Sequence, residues 1–528
     1  MTNYLFKKNT ILICFFISFF LLASRFILPS IYYPDEDSLI RLSFESGTGA
    51  SYLPIIQSYG NFILSPLYGL ENELEIKNLA FPYLGLFIPS ILLKLFGPIS
   101  YIFIEFLAVS FFLILIYKIF IILKFNNFFS ILGACFLFLL PRFLIELNNL
   151  FNFEILEIVR NNFQSFYTLR IPRPLITNLY FFSFIFLLMK IDLDKKYSIK
   201  RSCLLGLLIG LSIHSLFFIA IIKFFILFFY LIINFKRKIF KMIFQRKNFF
   251  ITLTVIAGCF MVLFIIHLNK VSPNNATVIG LYDINYEQKI NLIKYTIRYF
   301  SNKFFLLLFF INLVLFLYLR KKNLNFTIVY LIYISSIVTF LFFIIFVNKN
   351  IHYDLIQRTI FNNGILFFIL ATFKVMDINF KVCDHFISKY YSFLVIILIC
   401  LNNYLYFKHY DKNNILRFDA DKVVKKIEEE NFIINKKNEI LVLDSSIFIY
   451  LVGKDFLNFT IVPNSFWTTR SFEVVEKNLI NSFKILGIKN DNFKKIFKNK
   501  DSNFRIINSD VSAFFGYRYL ANSSITFK

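Results

Sequence analysis

Ten apolar stretches recur along the chain, at about 10–28, 99–123, 128–145, 174–191, 203–234, 250–267, 304–319, 326–347, 360–376 and 391–407. A helix needs about 20 such residues to cross roughly 30 Å of hydrocarbon, and most of these stretches are near that length. A water-soluble helix instead keeps a polar face, so a series like this has no place in a soluble core. The composition agrees: 58% of residues are hydrophobic and 17% charged, against about 45–50% and about 25% in soluble domains. Mean hydropathy is +0.66. The chain reads as an all-α polytopic membrane protein, which excludes a soluble multi-domain enzyme, a disordered chain and a disulfide scaffold. Its 76 Phe accompany many Ile, Asn, Lys and Tyr. That pattern fits A/T-rich coding, so no individual Phe carries an argument.

The formal charge of +25 is spread in short Lys/Arg clusters between the apolar stretches, where it sets membrane orientation. No basic stripe with interleaved aromatics occurs in a polar segment, so nucleic acid is not an expected partner. The six Cys form no CxxC pair, and neither a disulfide nor a zinc site can be read from them. The first stretch follows Lys7 and Lys8 like a signal peptide. It lacks a small-residue cleavage site before Arg25 and Pro29, and is read as an anchor.

The stretch 203–234 is too long for one upright helix and too short for two full passes. Gly206, Gly210, Ser212, His214 and Ser215 mark a break at its middle. Lys195, Lys196, Lys200 and Arg201 precede it, and Lys236, Arg237, Lys238, Lys241, Arg246 and Lys247 follow it. Both flanks favour the cytoplasm, so an even number of crossings is expected. That gives about 11 transmembrane helices in a bacterial inner membrane, with a cytoplasmic N-terminus and an extracytoplasmic C-terminus. The loops assigned inside hold 21 Lys/Arg, at 7–8, 118–124, 190–201, 236–247, 320–322 and 374–389. Segments 29–98, 142–173, 268–303 and 348–359 then face outward.

Residues 1–407 form the transmembrane domain, with the first outer loop at 29–98, and 408–528 form a soluble extracytoplasmic tail. In that tail, helices are expected at Asp419–Glu430, Ser446–Gly453 and Phe472–Leu486. Strands are expected at Glu439–Leu443, Phe459–Val462 and Phe504–Ile507. Alternation of this kind suggests a small C-terminal α/β layer, read as a docking or acceptor-contacting domain.

The sharpest motif follows the first stretch: Tyr33-Pro34-Asp35-Glu36-Asp37-Ser38. Asp37 or Ser38 could cap a helix, with the acidic turn complementing its dipole. A carboxylate at the bilayer edge can also take a proton from a hydroxyl, or hold a divalent cation such as Mg or Mn. The loop then runs through Gly47, Gly60 and Pro66 to Phe81-Pro82-Tyr83. An amphipathic stretch, Leu84–Phe96, follows and ends at Gly97-Pro98.

In this organisation the chain resembles the GT-C superfamily of membrane glycosyltransferases. Those proteins have one pass, a large outer loop opening on an acidic motif, many further passes and a soluble C-terminal domain. Pro34-Asp35-Glu36 looks like the family's acidic pair. The resemblance implies a polyprenyl-phosphate sugar donor, Asp35 as catalytic base and Glu36 as the second candidate. The additional Asp37, a substrate- or cation-binding candidate, departs from the family pattern and leaves open which carboxylate is the base.

A lipid-linked donor needs cations for its phosphate, and Arg suits this because its fork can make two bonds. Arg170 and Arg173 stand in Arg170-Ile171-Pro172-Arg173-Pro174, stiffened by the prolines as the chain re-enters the bilayer. Snorkelling to headgroups is the alternative. His352 and Arg358, in the polar segment 348–359, are further candidates. So is His214 at the break, although a lone His in an apolar helix is more often structural. Lys223 and Glu105, ionisable groups within apolar stretches, invite a functional reading but receive no role. Walker, GxGxxG, HExxH and GxSxG motifs are absent.

The expected activity is therefore inverting transfer of a sugar from a polyprenyl-phosphate donor to a lipid, glycan or protein acceptor of the cell envelope. The alternative is a transporter or flippase for a lipid-linked or anionic substrate. An envelope-polymer ligase is a third reading.

Overall fold

The computed structural model describes residues 2–32, 56, 59–60, 83–97, 99–151, 175–194, 198–215, 217–233, 247–268, 282–283, 286–322, 324–346, 349–350, 353–379, 389–405, 407, 440–441 and 459–460. They are almost wholly helical. The helices are α1 (Thr2–Tyr32), α2 (Tyr83–Phe96), α3 (Ile99–Ile122), α4 (Asn127–Phe151), α5 (Leu175–Asp194), α6 (Ile199–Ile213) and α7 (Phe217–Ile233). They continue with α8 (Lys247–Leu268), α9 (Tyr286–Phe300), α10 (Lys303–Lys321), α11 (Thr327–Phe346), α12 (Tyr353–Asn379) and α13 (Lys389–Leu405). Every apolar stretch of the sequence holds a helix.

Among the described residues, five segments are long and apolar enough to cross a membrane: Ile102–Ile122, Leu175–Asp194, Lys303–Lys321, Thr327–Phe346 and Thr359–Ile378. The expected count of 11 crossings is finer than this. The stretch 203–234 is divided: α6 and α7 flank a turn at His214 and Ser215. Lys223 on α7 donates to the Leu208 carbonyl of α6 at 2.8 Å. In one straight helix those residues would stand about 22 Å apart, beyond any lysine side chain, so the two halves fold back on each other.

The chain divides into two compact units, one comprising 1–25, 104–263 and 281–407, the other 26–103, 264–280 and 408–528. In the first, hydrogen bonds sort the helix ends into two sets. Thr10 Oγ1 donates to Tyr117 OH at 3.5 Å and Lys374 Nζ to the Lys124 carbonyl at 2.7 Å. Tyr230 OH donates to Asp192 at 3.0 Å, and Asn325 also donates to Asp192. These bonds gather one end of the helices, the end expected to be cytoplasmic. At the opposite end Thr177 and Ser215 share a hydroxyl hydrogen bond of 3.0 Å. There too Tyr282–Asp283 (β1) pairs antiparallel with Lys349–Asn350 (β2). Toward the same end, Asn402 Nδ2 donates to the Leu21 carbonyl at 2.7 Å.

Small residues allow the closest helix approach. A Cβ on Gly210 would lie 2.4 Å from Cys259 Sγ, and one on Gly206 would lie 2.9 Å from the Thr252 carbonyl. In this way the glycines of α6 sit directly against Thr252, Val255 and Cys259 of α8. Aromatic pairs fill other seams, including Phe112 against Phe182 at 5.4 Å and Phe316 stacked on Tyr330 at 4.2 Å.

In the second unit α2 ends at Gly97, whose φ of +67° is the left-handed conformation that closes a helix at low cost only for glycine. Its N–H donates to the Leu93 carbonyl at 2.8 Å. Ile440–Leu441 (β3) pairs in parallel with Phe459–Thr460 (β4), within two of the stretches expected as strands. The remaining tail elements lie outside the described residues.

Candidate functional site

The sequence candidates sit at or beside helix ends. Helix α1 ends at Tyr32, so the triplet Asp35, Glu36 and Asp37 begins three residues beyond it; those carboxylates lie outside the described residues. Arg170 and Arg173 also lie outside them. Helix α5 begins at Leu175, directly after Pro174, which is where the sequence places re-entry. His352 is outside the description as well. Arg358 falls within α12, whose helix starts at Tyr353 rather than at the expected 360. It stands more than one turn into a helix, not in a loop ahead of it, and its side chain is outside the description.

His214 is the one sequence candidate whose surroundings are described. It is the C-cap of α6, with φ −83° and ψ −2°, and its N–H bonds the Ser212 carbonyl. Its ring Nε2 is 3.0 Å from the Cys259 carbonyl of α8. Next to it, Ser215 meets Thr177 in the first turn of α5. The turn is therefore tied to α5 on one side and to α8 on the other. His214 is buried and holds the turn to its neighbour, the structural role that a lone histidine most often has.

About 9 Å from that turn, measured along α7, Lys223 is fully buried. Its Nζ donates to the carbonyls of Tyr180 at 3.0 Å and Leu208 at 2.8 Å, and to Ser212 Oγ at 2.6 Å. It also stands 5.6 Å from the Phe184 ring centroid. An ammonium has three N–H donors, and here three acceptors from α5 and α6 meet them. Thr177, Ser212, His214, Ser215 and Lys223 thus form one buried polar cluster inside an apolar bundle. Lysine in an apolar stretch is the sequence signal for it. Its acceptors were not readable, because two of them are main-chain carbonyls. Glu105 on α3 is likewise buried.

The cluster ties α5, α6, α7 and α8 together through these hydrogen bonds. Among the described residues no group of three or more His, Cys, Asp or Glu could hold a metal ion. No protein-family model, curated protein or solved structure matches the chain.

Proposed function

We propose that the chain is an integral membrane glycosyltransferase that moves a sugar from a polyprenyl-phosphate donor to an extracytoplasmic acceptor with inversion. The observation that carries this reading is an order of parts. The acidic triplet follows α1 by three residues; then come the 14-residue helix α2, its glycine stop and the candidate span of α3. The start of α5, into which Arg170 and Arg173 lead, is bonded to the α6–α7 turn, at the end expected to face outward. In this proposal Arg170, Arg173 or Arg358 holds the donor phosphate. Asp35 takes the acceptor hydroxyl proton as that oxygen attacks the anomeric carbon. The bond from that carbon to the phosphate oxygen breaks, and polyprenyl phosphate leaves.

Asp35→Asn separates this role from helix capping, since Asn still caps a helix but does not accept a proton as a carboxylate does. Transfer from a panel of polyprenyl-phosphate sugars by purified protein should fall about 100-fold or more, with donor binding retained. Unchanged transfer removes Asp35 from the reaction and makes Glu36 the next residue to test. The folded-back α6–α7 pair with its buried lysine favours a second reading, a transporter or flippase, because such proteins use broken helices at their binding sites. That reading expects a labelled donor to change leaflet with its sugar–phosphate bond intact.

A further inference from the structure

Helix α9, Tyr286–Phe300, lies in a segment that the run of apolar stretches passes over, and it has three distinct faces. One packs on the protein: Thr296 is buried, Tyr299 and Phe300 stand 5.4 and 4.8 Å from Phe305, and Phe300 is 5.8 Å from Phe340. The second is an apolar stripe, Tyr286, Ile290, Ile293 and Ile297, spaced i, i+4, i+7, i+11. Three of these are open to the surroundings, with Tyr286 81%, Ile293 39% and Ile297 62% exposed. The third, beside it, carries Glu287, Asn291, Lys294 and Arg298, all exposed.

A stripe of exposed isoleucines is unfavourable in water, so something covers it. The connection to α10 says what. Only Ser301 and Asn302 separate the two helices, and both are held: Ser301 N–H bonds the Ile297 carbonyl at 2.9 Å, and Asn302 N–H bonds the Tyr299 carbonyl at 3.2 Å. The Asn302 side chain caps α10 at Phe304 N–H, 2.8 Å away. Helix α10 is a candidate span whose outward residues Leu306, Leu307, Phe310, Val314 and Leu317 are apolar and exposed. Two capped residues cannot carry α9 away from the surface through which α10 enters the bilayer. Its apolar stripe and the open face of α10 therefore meet the same medium. Basic residues beside an apolar stripe are the pattern of a helix lying in the headgroup layer.

We propose that α9 is an interfacial helix, with Ile293 and Ile297 in the upper acyl chains and Lys294 and Arg298 binding the phosphates of anionic lipid headgroups. The assignment rests on the membrane reading and is independent of sugar transfer.

The chain has a single Trp, Trp467, which makes a fluorescence test direct. Full-length protein carrying Trp467→Phe with Ile297→Trp is reconstituted into vesicles of brominated phosphatidylcholine alone, or into mixed phosphatidylcholine–phosphatidylglycerol vesicles in which only one of the two lipids is brominated. Ile293→Trp serves as a second probe, should the first variant fold poorly. Phe310→Trp reports on α10. Bromolipid should quench the probe on α9, and the anionic lipid should be enriched around it by about fivefold per basic residue. Lys294→Gln with Arg298→Gln should abolish that enrichment and leave quenching by the neutral lipid unchanged. Quenching at Phe310→Trp but at neither α9 probe overturns the interfacial placement and points to a protein partner on the stripe. Equal quenching by the two lipids overturns the headgroup site. Absence of quenching at all three positions overturns the membrane reading itself.

Discussion

Lys223 presents an ammonium to three acceptors and no described carboxylate, which places the whole weight of its burial on hydrogen bonds. A charged donor's bond contributes about 1.5–3 kcal/mol, and a buried polar group left without one costs a similar amount. The Ser212 contact is the shortest of the three, at 2.6 Å, and is the bond whose partner can be replaced without touching the main chain. A double-mutant cycle of Lys223→Met with Ser212→Ala, read by thermal unfolding in detergent, should give a coupling of about 0.5–3 kcal/mol. Strict additivity would show that the bond contributes nothing to stability. Met retains the length and packing of the lysine stem, so the single Lys223→Met variant should be milder than Lys223→Ala, which also opens a cavity. At this scale the sequence marked the residue and not its role. A lysine among Ile and Phe is conspicuous in any sequence, whereas the carbonyls of Tyr180 and Leu208 have no signature in residue type.

The seam between α6 and α8 depends on glycine, and not every glycine in it matters equally. Gly210→Ala would place a methyl 2.4 Å from Cys259 Sγ and 2.7 Å from its Cβ. The short cysteine side chain has little room to turn away, so the helices must part. Overpacking of this kind costs about 1–3 kcal/mol. Gly258, one residue from Cys259, would bring its Cβ within 4 Å of nothing, and Gly258→Ala should gain up to about 1 kcal/mol from helix propensity alone. Melting temperatures of the two variants should move in opposite directions; a shift of the same sign in both would show that the seam is not closely packed. Helix existence was readable from the apolar stretches, and the break at His214 from the small and polar residues before it. Helix α9 was not legible as an apolar stretch, because its isoleucines are spaced by Lys289, Lys294 and Arg298 and form a stripe rather than a continuous run. The acidic triplet and the paired arginines stay where the sequence put them, as candidates, since they fall outside the described residues.

Across the first unit, the bonds that join Thr10 to Tyr117 and Lys374 to Lys124 belong to one end, and the β1–β2 pairing belongs to the other. The proposed orientation puts the first end on the cytoplasmic side. In a background lacking the native cysteines, Glu287→Cys and Lys322→Cys should react with a membrane-impermeant maleimide from opposite sides. The proposed orientation expects Glu287→Cys to react in intact cells and Lys322→Cys only after permeabilisation. Labelling of both from one side would break the two-ended arrangement. The expected alternation rests on lysine and arginine, which distribute by membrane side; which crossings are complete was not legible, because α6 and α7 are each shorter than a span. The lysine between them also bears on biosynthesis. Released alone into lipid, α7 would meet an opposing free energy of about 2.5–3.5 kcal/mol for a charge near mid-helix. All three of its acceptors, on Tyr180, Leu208 and Ser212, are translated before it, so α5 and α6 have left the ribosome when α7 reaches the translocon. The lysine can dock on entry without waiting for α11, which is made about a hundred residues later and packs against α7 through Phe342 and Phe225. Along this stretch the residue that most opposes bilayer entry is translated after the partners that hold it.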